Sequence, residues 1–237
     1  MNAARHQTPP DRTREILEDL EAVRENLLAL SDDIWLSIDH NDSQALEEGV
    51  QFKRAFNEKV AAFDRLAGDL SVMVQQFTRV RLESTEQTSA DDDRETNARL
   101  VRELDRDEPH AIDEDFTYRR PHGYVLDGQA AAGITTWRRL YELVCLQLQK
   151  RDPPRFHALP DHPSFISNRG HRQFAVDPGE LRSPAPLADG LYTEINLSAN
   201  ALRDVLRDLL DEFNVPRGDL KVYLRQDRDA RRGRPSE

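Results

Sequence analysis

LYTEINLSANALRDVLRDLLDEF, residues 191–213, changes its hydrophobic period halfway along. Through the first seven residues Leu191, Thr193, Ile195 and Leu197 alternate with Tyr192, Glu194 and Asn196, the period of a strand with one buried face. From Ala199 onward Leu202, Val205, Leu206, Leu209, Leu210 and Phe213 fall on one helical stripe, and Ser198 stands where an N-cap belongs. A strand that runs directly into an amphipathic helix predicts a mixed fold for this part of the chain.

Working outward, the same reading gives a compact α+β module. Tyr124 to Leu126 reads as a short strand, Asp127-Gly128 as a turn, and a second short segment ends at Ile134. Thr136 caps a helix from Trp137 to Lys150, whose buried face carries Leu140, Leu143, Val144, Cys145 and Leu148, and Asp152-Pro153-Pro154 ends it. Residues 155–190, rich in Pro, Gly and His, read as an unusually long connection. Leu220 to Leu224 supplies a closing strand.

The N-terminal third follows a different rule. Ile16, Leu20, Val23, Leu27, Leu30, Ile34 and Ile38 recur in steps of four and three, a heptad seam. After turn chemistry at DHNDSQ, residues 39–44, the pattern resumes with larger side chains: Phe52, Phe56, Val60, Phe63, Leu66, Leu70, Met73, Phe77 and Val80. Two such helices joined by a short turn predict an antiparallel, coiled-coil-like hairpin. Leu17, Leu28, Trp35 and Leu36 lie beside the first seam, so two helices leave apolar surface uncovered. A second hairpin from another chain would cover it, with Leu20, Leu27, Ile34, Phe56, Phe63, Leu70 and Phe77 at the interface. The alternative is closure by a third helix of the same chain, residues 91–106, whose apolar stripe is only Leu100, Val101 and Leu104.

The expected fold class is therefore α+β and mostly helical. Its parts are a hairpin at 1–82, an acidic linker with a short helix at 83–115, the α+β module at 116–226, and a disordered Arg-rich tail at 227–237. Charge follows these boundaries although the net value is -11. The linker carries 13 acids against 4 bases, while residues 116–237 carry 16 acids against 19 bases, so only the module and tail suit a polyanion. The chain has 38% hydrophobic and 32% charged residues, lean enough to favour two modest cores over one. No apolar run is long enough to span a membrane and the first residues lack a secretory pattern, which predicts a cytoplasmic protein. A lone cysteine, Cys145, excludes an intramolecular disulfide framework.

The module from Phe116 to Leu224 resembles a small accessory domain of prokaryotic restriction, phage-defence and mobile-element proteins. The residues that carry the resemblance are Thr136-Trp137 at a helix start, Arg172-Gln173-Phe174, and Tyr192-Thr193-Glu194-Ile195-Asn196-Leu197-Ser198-Ala199-Asn200. It implies a module that accompanies DNA-directed machinery and brings no functional residues of its own. Read from the residues alone, Trp137 is a core anchor, Ser198 a cap and Asn200 a first-turn polar residue.

Chemistry-bearing constellations are few. His157, His162 and His171, with Asp161 among them, form the one ligand-rich cluster and suit zinc if the loop closes on itself. Arg151-Asp152 followed by His157 resembles the arginine-spacer-histidine motif of small helical ribonucleases, although Pro153-Pro154 interrupts the helix such a motif needs. Asp219 and Lys221 resemble half of a metal-dependent nuclease site, for which Asp204, Asp208, Asp211 or Glu212 would have to supply the second acid. Arg231, Arg232, Gly233 and Arg234, before Pro235, resemble an AT-hook core, which lays arginines along the floor of an A·T-rich minor groove. Glycines occur singly, so no phosphate-binding loop is present, and no cofactor is expected.

The sequence reading is thus a non-catalytic interaction protein that dimerises, or docks a helical partner, through the hairpin. A DNA-binding accessory and a metal-dependent nuclease or hydrolase are the competing readings.

Overall fold

The chain divides into two units, residues 1–84 and 85–237, and a computed structural model describes residues 8–80 and 93–225. The class is α+β and mostly helical. Unit 1 holds two long helices, α1 (Pro9–Ser37) and α2 (Ser43–Thr78). Thr8 and Asp11 form a reciprocal cap at the start of α1, and the Asp42 carboxylate accepts from the backbone N–H groups of Gln44 and Ala45 to start α2.

Unit 2 begins earlier than the sequence suggests. Its first helix, α3 (Asp93–Leu104), and the short strand β1 (His110–Ala111) lie in the stretch expected to be linker. Leu104 is buried against Val125 and Tyr223, with Val101 packed beside them. Asn97 binds the neighbouring β-hairpin through its side chain, donating to the Gly128 carbonyl at 2.7 Å and accepting from the Ala130 N–H at 2.7 Å. The stripe of α3 is therefore occupied within unit 2.

The main sheet has the order β1-β7-β2-β3, where β2 is Pro121–Leu126, β3 is Gln129–Ala132 and β7 is Leu220–Leu224, and every pairing is antiparallel. Asp127 and Gly128 both have positive φ, 50° and 72°, the geometry of a tight hairpin turn. The expected closing strand, β7, lies inside the sheet between β1 and β2. Gly123 on β2 is needed because a Cβ there would lie 2.8 Å from a Leu104 methyl and 2.7 Å from the Ala131 carbonyl.

The opposite face of this sheet is the core. Two helices, α4 (Trp137–Arg151) and α6 (Ala199–Glu212), bring Leu140, Val144, Leu148, Leu202, Leu206 and Leu209 into one cluster with Tyr124, Leu126, Leu220 and Val222. Thr136 and Ser198 cap these helices by accepting from Arg139 and Ala201 N–H groups. Trp137 is fully buried, packs against Phe116 with the rings tilted and 4.4 Å between centroids, and donates its indole N–H to the Arg119 carbonyl at 2.7 Å.

Residues 155–190 are not a plain connection. Pro153-Pro154 opens a five-residue helix, α5 (Pro153–His157), because proline suits the first helical position. Short strands β4 (Phe174–Ala175) and β5 (Pro184–Pro186) then flank β6 (Tyr192–Glu194) in a second antiparallel sheet. A buried polar network ties this sheet to α4. The Tyr141 and Thr193 hydroxyls lie 2.6 Å apart, and the Gln173 amide donates to both and to the Glu194 carbonyl. Glu194 itself accepts from three backbone N–H groups, those of Arg182, Ser183 and Asn196.

Asn200 does more than fill a first turn. Its carbonyl oxygen accepts from Phe116 N–H at 2.9 Å, and its amide donates to Asp115 and Thr117. Hydrogen bonds from Thr117 and then Asn200 hold the Asp115 carboxyl at about 2, below its ordinary 3.8. The folded state thus prefers ionised Asp115, and that stability is present above the ordinary value and lost as pH falls toward 2. Asn200→Ala should lower stability by about 1–3 kcal/mol at pH 7, because Phe116 N–H loses its partner. It should also flatten the decline between pH 4 and 2, as read by urea titration of Trp137 fluorescence in a Trp35→Phe background.

Candidate assembly interface

Unit 1 buries Leu17, Ala22, Ala29, Val60 and Ala67 along its two helices, and the side-chain links between the helices are polar. Arg24 on α1 forms an ion pair with Asp64 on α2. The Ser31 hydroxyl donates to the Asn57 side chain at 3.3 Å, and Lys53 donates to the Ser31 carbonyl at 2.5 Å. Near the turn Gly49 lies against Ile38, where any Cβ would overlap the isoleucine side chain. Partner numbers on α2 fall as those on α1 rise, so the helices run antiparallel. Leu17, Arg24 and Ser31 recur every seven residues on α1, as Asn57, Asp64 and Ser71 do on α2.

Of the heptad seams expected to join the helices, Val60 is buried and Ile38 packs on Gly49, but most of the rest is turned away from this contact. The structure places Leu20, Leu27, Ile34, Phe56 and Phe63 only half-buried, and Val23, Leu30, Phe52 and Leu70 exposed. Ile16 is 67% exposed, Leu66 58%, Met73 57% and Phe77 91%. The physical reason is size and charge. Ser31, Ala67 and Ser71 are buried, and small side chains of this kind let the backbones approach closely, whereas phenylalanines at the contact row would hold them apart. Arg24, with 7% of its side chain exposed, is held between Asp64 of α2 and Glu21 of its own helix, since burying a guanidinium without carboxylates is costly.

The apolar stripes sit one position before the contact rows: on α1, Ile16, Val23 and Leu30 precede Leu17, Arg24 and Ser31. On α2, Phe56, Phe63 and Leu70 precede Asn57, Asp64 and Ser71. One residue is about 100° around a helix. In an antiparallel pair, the same rotation on both helices brings both stripes to one side. The hairpin thus presents a single apolar face made from both heptads.

The other sequence candidates are held apart in unit 2. The His157 ring lies 3.6 Å from Asp189, His162 Nε2 lies 3.1 Å from Glu212, and His171 Nε2 lies 3.0 Å from the Arg182 guanidinium. Each histidine thus faces a different partner, and among the described residues no group of three or more His, Cys, Asp or Glu converges. Arg151 pairs with Asp127 while His157 ends α5, so the ribonuclease-like constellation is not assembled.

Asp219 ends a turn and Lys221 is an exposed residue of β7. Their proposed second acids are engaged elsewhere: Asp204 with Arg203 and Arg207, Asp211 with Arg217, Glu212 with His162. Asp208 has a raised pKa from desolvation and from the nearby Asp211 and Asp204. It lines a cavity of about 310 Å³ with Phe165, His171, Arg172 and Arg182, where Arg172 is already bridged to Asp161 and Glu180. Cys145 is fully buried and burial pushes its thiol pKa up, the opposite of a nucleophile. Arg231, Arg232, Gly233 and Arg234 lie outside the described residues. No helix among the described residues is long and apolar enough to cross a membrane.

Comparison with family models, with curated proteins and with solved structures found no match.

The polar contact row gives a direct test of why the apolar stripes stay outside. Arg24→Ala leaves Asp64 without its partner and should destabilise the helix pair by on the order of 1–3 kcal/mol. Arg24→Leu with Asp64→Leu should recover part of that loss, because two apolar residues remove both charges of the cross-helix pair together while Glu21 loses its partner in either variant. Thermal unfolding followed by circular dichroism at 222 nm separates the outcomes. Equal losses in the two variants would mean that the ion pair does not hold this contact row.

Proposed function

We propose that the chain is a non-catalytic assembly protein, in which the face formed by α1 and α2 docks another helical surface and unit 2 carries the recognition role. The observation that supports this reading is the single apolar face built from two heptads. Bare, a phenylalanine side chain offers roughly 200 Å², and the uncovered parts of both stripes come to on the order of 1,000 Å². Exposed apolar patches on monomers rarely exceed a few hundred Å².

The engaged state of the histidines and acids of unit 2, and the burial of its thiol, argue in the same direction. The resemblance of residues 116–224 to an accessory domain of prokaryotic DNA-directed and defence proteins supports placing the assembly beside such machinery. The buried, unpaired thiol of Cys145 is in keeping with a cytoplasmic setting.

Substituting Phe63 and Leu70 together with Glu tests the reading, using light scattering for mass and a hydrophobic dye for the apolar face. The wild type should either associate or bind dye strongly, and the variant should do neither while keeping its helicity. A variant indistinguishable from wild type in both measurements would remove this face as a docking surface.

A further inference from the structure

We infer that the occupant of this face is a second copy of the chain, with the two α2 helices antiparallel about a twofold axis between Asp64 and Arg65. The inference rests on the assembly reading above and adds the partner and the register. Its first support is area: on the order of 1,000 Å² of apolar surface exceeds the ~800 Å² per partner of a standard stable interface.

The second support is self-complementarity. The α2 stripe runs Phe52, Phe56, Lys59, Phe63, Leu66, Leu70, Met73, Phe77, alternating steps of four and three without a break. In an antiparallel pair centred between Asp64 and Arg65, Phe63 meets Leu66 of the second copy and Phe56 meets Met73. Phe52 meets Phe77, and Lys59 meets Leu70. Every position of the stripe then has a stripe partner, whereas sliding by one heptad strands the residues at one end. A twofold contact of this kind is closed, so it stops at two chains.

Lys59 fixes the direction. Parallel pairing would stack the two Lys59 ammonium groups on each other within the seam, a like-charge contact that disfavours that arrangement. Antiparallel pairing lays the lysine stem over Leu70 and carries the ammonium to the adjacent Asp69 of the second copy. Both Lys59 and Asp69 are exposed in the single chain, so each is able to make this contact. The α1 stripe, on the same side of the hairpin, then closes over the flank of the second copy's α2 to complete a four-helix arrangement.

A charge-swap experiment on the full chain tests partner and register together. Lys59→Glu sets two acids against each other at both symmetric contacts, and Asp69→Lys sets two bases, so each single variant should dimerise more weakly than wild type. Mixed in equal amounts, the two variants restore opposite charges at both contacts. Heterodimers should form roughly tenfold more tightly than either homodimer, measured by light scattering and by capture through a tag on one variant. The double variant Lys59→Glu/Asp69→Lys should recover wild-type association, which guards against misfolding as the cause of the single effects. Dimers without preference in the mixture would overturn the register while leaving assembly through this face intact. A monomeric wild type at ~100 μM would overturn the second copy, and dye binding lost in the Phe63/Leu70 variant would then assign the face to a different helix.

Discussion

The Arg24–Asp64 ion pair governs the arrangement of unit 1. A buried guanidinium and its carboxylate require each other, and once they meet, the rows that contain them are fixed at the contact between α1 and α2. Ser31 with Asn57 and Lys53 with the Ser31 carbonyl continue the same polar row. Because helical rows lie at fixed angles, choosing the polar row for the contact turns the apolar heptads of both helices to one side. An ion pair of this sort adds little net stability, and its effect is to specify which faces meet.

Unit 2 follows the opposite rule, with its apolar groups inside and most of its buried polar groups linked. The sheet is covered on one face by α4 and α6 and contacted on the other by Leu104 of α3. Where polar side chains are buried, they are linked: Tyr141, Thr193 and Gln173 to one another, and Glu194 to three backbone donors. These links hold short strands that would be weak on their own, and they account for the side chains that a catalytic reading would have wanted free. Unit 1 exposes apolar surface and unit 2 buries it, and the contrast points to association through unit 1.

Period and capping made the long elements of both units legible in the sequence. The helices around Leu140 and Leu206 carry unbroken stripes, with Thr136 and Ser198 in capping positions. The strands β4 and β5 were not legible, since two or three residues containing proline show no alternation. The packing partner of α3 was hidden for a related reason: Leu100, Val101 and Leu104 mark a buried side without naming what buries it. The heptads of α1 and α2 read as the contact between the two helices, where the structure places Val60 and Ile38 but leaves most of the remaining seam residues half-buried or exposed. The missed signal was polar, Arg24 and Ser31 seven apart on one helix and Asn57 and Asp64 seven apart on the other. The histidines looked like a cluster along the chain, but the turns between Leu159 and Phe165 send His157, His162 and His171 to separate partners.

Met73 reports most directly on whether the apolar face is covered by a second chain. It is more than half exposed in the single chain and lies opposite Phe56 of the second copy in the proposed interface. Its rate of oxidation by peroxide, compared with free methionine, should fall as protein concentration rises from nanomolar to ~100 μM, in step with dimer formation. A rate that stays near that of free methionine across the whole range would contradict the account.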